Sequence, residues 1–220
     1  MVNIVEIIQK LACERPIFHS EADFQQALAW QIHLESLKCQ IRLEYPLDYE
    51  GSDHLDIVLL EKDRELALEL KYKKHRFLAF VHQEIFSLKA DSAEDIGRYD
   101  FLKDVQRLEK FVSNRPKASG YAILLTNDSL YWKASPRKTI SDAFRLHEGR
   151  KVTGTLVWST GAGKGTTKGR ELPIILKGVY DCQWREYSEF QSTEYVLGDN
   201  KIAVPDSRFR YLLLAVSHGS

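Results

Sequence analysis

Apolar residues recur at helical spacing in two stretches near the start of the chain. Ile4, Ile7, Ile8 and Leu11 predict a helix over Asn3–Ala12 that ends before Pro16. Phe24, Leu28 and Ile32 predict a second helix, with Ala27, Leu34 and Leu37 widening its stripe. Ser20 with Asp23 three residues on forms a capping pattern at its start. Glu21 falls three and seven residues before Phe24 and Leu28, so it lies at the end of the buried stripe. The plain reading of Glu21 is a first-turn carboxylate favoured by the helix dipole.

The period then changes from helical to alternating. Ile41–Tyr49 carries Pro46 inside an alternating run, which predicts a strand at a sheet edge or one bulged at the proline. His54–Lys73 splits at Glu61–Asp63 into two strand-forming runs, a β-hairpin. Side chains alternate along a strand, so Leu66, Leu68, Leu70 and Tyr72 share one face. Glu65, Ala67, Glu69, Lys71 and Lys73 share the other. In the first run Asp56 faces with Val58 and Leu60, and Leu55, Ile57 and Leu59 face oppositely. In register, the hairpin brings Asp56, Glu69 and Lys71 onto one surface.

Phe77–Val81 and Glu84–Leu88 flank His82-Gln83 as a second, smaller hairpin extending from the sheet. Ser92 with Asp95 is another cap pattern, leading a helix carried by Ile96, Tyr99, Leu102, Val105, Leu108 and Val112 to about Ser113. Tyr121–Thr126 is a continuous apolar run, which suits a buried strand parallel to a neighbour. Beyond Asn127, Ser141–His147 predicts a short helix, and Thr153–Trp158, Ile174–Tyr180 and Phe209–Val216 predict strands. Trp132, Trp158, Trp184 and Tyr187 supply core aromatics. The expected architecture is α/β in the order α-β-β-β-α-β, a mixed central sheet flanked by helices, with a β-rich C-terminal elaboration. One domain over residues 1–220 is expected, its core about 17–128 and the elaboration about 129–220.

Composition narrows the class without naming a partner. Lys+Arg and Asp+Glu both number 31, so any nucleic-acid surface has to come from local clustering. Cys13, Cys39 and Cys182 match no disulfide framework or zinc spacing and read as three structural thiols in a reducing compartment. Met1–Lys10 contains Glu6 within its apolar stretch, and no run reaches membrane length. The expectation is a soluble, cytoplasmic protein with no membrane partner.

The chemistry concentrates in the first hairpin. Two carboxylates and an ammonium on a mostly apolar pair of strands are costly to desolvate unless they are paired or hold a divalent cation. Asp56, twelve intervening residues and then Glu69-Leu70-Lys71 resemble the signature of the PD-(D/E)xK nuclease superfamily. The resemblance spans roughly residues 20 to 127, where the element order also resembles that family's restriction-endonuclease-like core. Leu55 stands where the family often has proline, a position that is not a ligand. The resemblance implies a Mg²⁺-dependent DNA endonuclease of restriction, repair or mobile-element-defence type. Asp56, Glu69, Lys71 and the helical acid Glu21 would be its catalytic residues.

Mg²⁺ keeps several waters, so one or two carboxylates plus a substrate phosphate suffice to hold it, with Mn²⁺ as a substitute. Asp56 and Glu69 would hold the ion, Glu21 directly or through water, and Lys71 would orient the attacking water. The plain alternative is a Glu69–Lys71 ion pair on an exposed face. The functional alternative is a catalytically silent nuclease-like domain that binds nucleic acid or protein.

Other basic positions suggest substrate contacts. Lys71, Lys73, Lys74, His75 and Arg76 cluster beside the site, where such charges could neutralise phosphates flanking the scissile one, and Lys103 and Gln106 lie on the helix that in this superfamily often borders it. Gly161–Gly169 lacks the spacing of a phosphate-binding loop, and no convincing helix follows it before Pro173. With Arg170 beside it, its Lys164 and Lys168 read as a mobile basic segment able to touch a DNA backbone, the plain alternative being an ordinary solvated loop. Double-stranded DNA is the expected partner, and cutting both strands would suit a homodimer. No Gly-x-Ser-x-Gly elbow supports a serine hydrolase.

Overall fold

The computed structural model describes residues 2–47, 53–91, 93–197, 200–204 and 207–218. Helices α1 (Ile4–Glu14) and α2 (Glu21–Glu35) lead into strands β1 (Gln40–Pro46), β2 (His54–Glu61) and β3 (Arg64–Lys73). A small hairpin, β4 (Phe77–Val81) and β5 (Glu84–Leu88), precedes α3 (Glu94–Ser113) and β6 (Ala118–Thr126). Then come β7 (Lys151–Leu156), a single helical turn at Lys164–Thr167, β8 (Ile174–Asp181) and β9 (Trp184–Phe190). The hairpin β10 (Thr193–Leu197) and β11 (Asn200–Val204) and the long strand β12 (Ser207–Val216) complete the order.

Six strands form one mixed sheet in the order β1-β2-β3-β6-β12-β9. Strand β3 is antiparallel to β2 and parallel to β6, from Glu65↔Ala118 to Lys73↔Thr126. The alternation along β3 divides the core in two. Leu66, Leu68, Leu70 and Tyr72 pack with α1 and α2 residues such as Ile8, Phe24 and Leu28. Ala67, with Val58 of β2, packs with Tyr99, Leu102, Val105 and Leu108 of α3. Hairpin β7–β8 covers the same side through Val152, Leu156, Ile174 and Leu176. Residues alternating on a doubly covered strand are buried on both faces, which explains the runs of apolar residues in β3 and β6.

The turns follow the sequence. Lys62 adopts φ 55° in the β2–β3 turn, and His82 and Gln83 adopt 50° and 67° between β4 and β5. Two successive positive φ values match the right-handed twist of a two-residue hairpin. At α2, Ser20 Oγ accepts from Asp23 N at 3.1 Å, as the capping pattern predicts. The reciprocal bond goes one residue further out, with Asp23 Oδ2 accepting from His19 N at 2.9 Å.

Several expectations are revised. Leu34 and Leu37 do not join the α2 stripe, since they are 52% and 77% exposed. The irregularity in β1 lies at Glu44 (φ 49°), not at Pro46, and β1 is an edge strand. The turn over 48–52 and Ser92 lie outside the described residues; α3 begins after Ala93 without a side-chain cap. Leu55 packs with Val58 and α3, not with Ile57 and Leu59. Beyond Ile57↔Leu68 the β2–β3 pairing is not continued, so the alternation no longer holds there. Ser141–His147 forms only a 3₁₀ turn at Asp142–Phe144, and a helical turn does occur within the glycine-rich segment. Hairpin β4–β5 is a sheet of its own, while β12 and β9 extend the central sheet. Cys39 and Cys182 are buried and Cys13 is exposed, all three as free thiols. Among the described residues no helix is long and apolar enough to cross a membrane.

Candidate functional site

The site forms where β2 leaves β3. The β2–β3 ladder ends in that direction at Ile57↔Leu68, so the amides of Leu70 and Tyr72 need partners other than a ladder carbonyl. Two carboxylates supply them. Asp56 Oδ2 accepts from Leu70 N at 2.6 Å, and Glu21 Oε2 accepts from Tyr72 N at 2.7 Å. Glu21 is delivered by the Ser20 cap, which fixes the first turn of α2 over the end of β3. Asp56 is fixed from its other side. Gln25 Nε2 donates to Asp56 O and to Glu44 Oε1, both at 2.8 Å, with Glu44 in its left-handed conformation opposite.

From the other face of β3, Glu69 and Lys71 reach α3. Lys71 Nζ lies 2.9 Å from Asp104 Oδ2 and 3.8 Å from Glu21 Oε1. The contact with Asp104 is an ion pair without hydrogen-bond geometry, and the hydrogen bond from Lys71 Nζ goes to Leu70 O at 3.2 Å. Arg107 Nη1 donates to Glu69 Oε1 at 2.6 Å, and its Nη2 lies 3.2 Å from Asp104 Oδ1. The Asp56 carboxylate also acts on Glu69, raising its pKa by like-charge repulsion. The alternative Glu69–Lys71 ion pair does not form; two crossed pairs stand in its place, Glu69–Arg107 and Lys71–Asp104.

Charge in this cluster is unbalanced. Four acids (Glu21, Asp56, Glu69, Asp104) face two cations (Lys71, Arg107), a formal excess of two negative charges. Glu69 is 1% exposed, and burial together with Asp104 and Asp56 pushes its carboxyl up to about 9 against the pull of Arg107. Burial raises Asp104 to about 6, although Lys71 and Arg107 oppose the shift. Burial also raises Asp56, opposed by its Leu70 hydrogen bond and by Lys71. Burial presses Lys71 down, but Asp104 and Glu21 hold it above its ordinary range, so it stays an ammonium. Like-charge carboxyls this close cannot all ionise unless a cation joins them.

The donor set fits a hard divalent cation in composition, since all its acids are carboxylates. Among the described residues, however, no group of three or more His, Cys, Asp or Glu side chains is placed so that it could hold a metal ion. Glu69 would have to give up its contact with Arg107 to serve as a ligand.

Asp56, Glu69, Lys71 and Glu21 thus come together. Other expected contacts point elsewhere. Lys74 Nζ sits 3.5 Å from Asp91 and over the Tyr72 ring, while Lys73 is half-buried beside Gly97. Lys103 donates to Gln106, and Gln106 donates to Ile175 O of β8, so both belong to the α3–β8 contact. Lys164 and Lys168 are exposed on the loop between β7 and β8. Asp104 and Arg107 were not among the expected site residues. Asp104 occupies a second buried stripe with Phe101, Leu108 and Phe111, and an acid on an apolar helical stripe is the signal that identifies it.

This chain matches no model of a known protein family, no curated protein and no solved structure.

Proposed function

We propose that the protein is a Mg²⁺-dependent phosphodiesterase that cleaves DNA, built on a restriction-endonuclease-like core. The observation that carries this reading is the approach of Glu21 and Asp56 to Lys71, with Glu69 beside Asp56, at the point where β2 and β3 part. Asp56 and Glu69 would hold the cation, with Glu21 as a direct or water-mediated ligand. When bound, the ion supplies positive charge that polarises a phosphate and lowers the pKa of a water. Lys71, kept protonated by Asp104, donates to the attacking water or to the charge developing on the phosphorus oxygens. Asp104 acts on that ammonium and positions it. Arg107, once released from Glu69, offers its guanidinium to a neighbouring phosphate.

The test is cleavage of supercoiled plasmid with Mg²⁺, with Mn²⁺ and with EDTA. Glu69→Ala and Lys71→Ala are each expected to lower the rate by about a hundredfold or more. Variants that cut like wild type overturn the assignment. One observation favours a second reading: the Arg107–Glu69 contact at 2.6 Å occupies Glu69 with a guanidinium in place of a metal ion. A catalytically silent nuclease-like domain that binds nucleic acid or a protein would keep that contact and show no metal-dependent cleavage.

A further inference from the structure

Beyond Lys71, β3 carries cations toward a groove that the catalytic proposal does not use. Lys73 ends the strand, and His75 and Arg76 follow in the connection to β4. A groove there is lined by His75, Arg76, Asn127, Trp132, Lys133 and Arg208, among others. Its floor is fixed. Asn127 Oδ1 accepts from His75 N at 2.8 Å, while Asn127 Nδ2 donates to His75 O and to Ser207 Oγ, each at 3.3 Å. Trp132 is braced by Trp184 at 5.7 Å and by the guanidinium of Arg210 at 5.7 Å.

The charges are distributed unevenly. Arg208 is taken by Glu189 at 2.9 Å and faces Glu186 at 3.6 Å. Arg76 and Lys133 are exposed and have no carboxylate partner among the described residues. Two uncompensated cations on a rigid floor, beside a half-buried indole, form an anion-binding surface. The groove is too open and too long for one small anion, because it runs from the β3–β4 connection to the start of β12. His75 lies four residues along the chain from Lys71, at most about 13 Å at roughly 3.3 Å each. That corresponds to about four nucleotide steps at about 3.4 Å of rise.

We infer that this groove binds the phosphodiester backbone of a nucleic-acid strand, with Arg76 and Lys133 contacting phosphates on one side of the cleavage site. The inference rests on the reading of the Lys71 cluster as a phosphodiester-cleaving centre, which gives the strand its origin. The glutamates beside Arg208 close the far wall by repulsion, so the strand follows the Arg76–Lys133 side.

The test is fluorescence anisotropy with a fluorescein-labelled 20-nucleotide single-stranded DNA, its duplex and the matching single-stranded RNA. It is run in EDTA across a series of KCl concentrations. Arg76→Gln/Lys133→Gln is compared with Lys38→Gln/Lys62→Gln, which removes the same charge at exposed positions in the turns before β1 and between β2 and β3. For the bound nucleic acid, the groove variant is expected to weaken affinity about tenfold. It should also flatten the salt dependence by about 0.7 to 0.9 in slope per charge removed. The control pair should stay within about twofold of wild type, and Arg76→Lys/Lys133→Arg should restore binding. The oligonucleotide that loses most identifies the strand type. A groove variant that matches the control pair, or a wild type that binds none of the three, overturns the inference. If wild type does not cleave plasmid yet the groove variant loses binding, the groove stands and the catalytic reading falls. If wild type cleaves and the groove variant binds as well as the control, the groove alone falls.

Discussion

Glu69 carries the heaviest electrostatic burden in the cluster, buried beside Asp56 and Asp104 with one guanidinium for relief. Its raised pKa means that the folded protein holds a proton there which the unfolded chain releases near the usual carboxylate range. Stability from this group is therefore fully present below about 4.5 and is lost as pH rises through about 9. In metal-free buffer, the melting temperature should fall across that window, and Glu69→Gln should flatten the fall. A melting temperature that rises with pH over the same range, or a slope unchanged by Glu69→Gln, contradicts the assignment. At this scale the spacing placed Asp56, Glu69 and Lys71 on one hairpin, and alternation put Glu69 and Lys71 on one face of β3, but the break at Asp56, where Leu55 turns to the α3 side, was not readable from alternation. The partners of Glu69 and Lys71 were not readable in the same way. Which of Lys103, Asp104, Gln106 and Arg107 enters the site depends on the rotation of α3 against β3, and a helix with apolar residues on two stripes leaves that rotation open.

The elements that set the site are the end of α2 and the free edge of β3. Ser20 satisfies the Asp23 amide, and the same turn presents Glu21 to Tyr72 N. Ser20→Ala should cost about 1 kcal/mol in urea unfolding, the usual worth of an N-cap. It should also lower cleavage more than an equally destabilising substitution at a distance, Ile7→Val in α1. Equal losses of activity from the two would mean that the cap does not position Glu21. The helix start was legible because the cap is a local signal. The exposed side was not: Trp30 is 63% exposed, so the apolar positions of α2 extend onto its outer surface. Composition alone does not tell a wide buried stripe from a narrow one beside exposed apolar residues.

On the scale of the whole molecule, the central sheet depends on its last strand. Strand β12 pairs with β6 from Arg210↔Thr126 to Val216↔Gly120 and carries β9 on its other edge. Phe209, Tyr211, Leu212 and Leu214 are buried, and Phe209 stacks on Tyr72 of β3. A fragment comprising residues 1–128 should therefore lack a cooperative thermal transition by circular dichroism, having lost two strands of the central sheet and much of both cores. A sharp two-state melt would show that the first part folds alone. The α-β-β-β-α-β order was legible because its members carry clear periodicity and turn chemistry. The sheet's completion by β12 and β9 was not, because a strand's partner across some 80 residues of intervening chain leaves no local trace.

The central claim is that the acids around Lys71 receive a divalent cation. Crystals soaked in Mn²⁺ and measured at the manganese absorption edge test it most directly. The account predicts anomalous density between Asp56 and Glu69, with Arg107 displaced from Glu69. An intact Arg107–Glu69 pair and no density at saturating Mn²⁺ would contradict it.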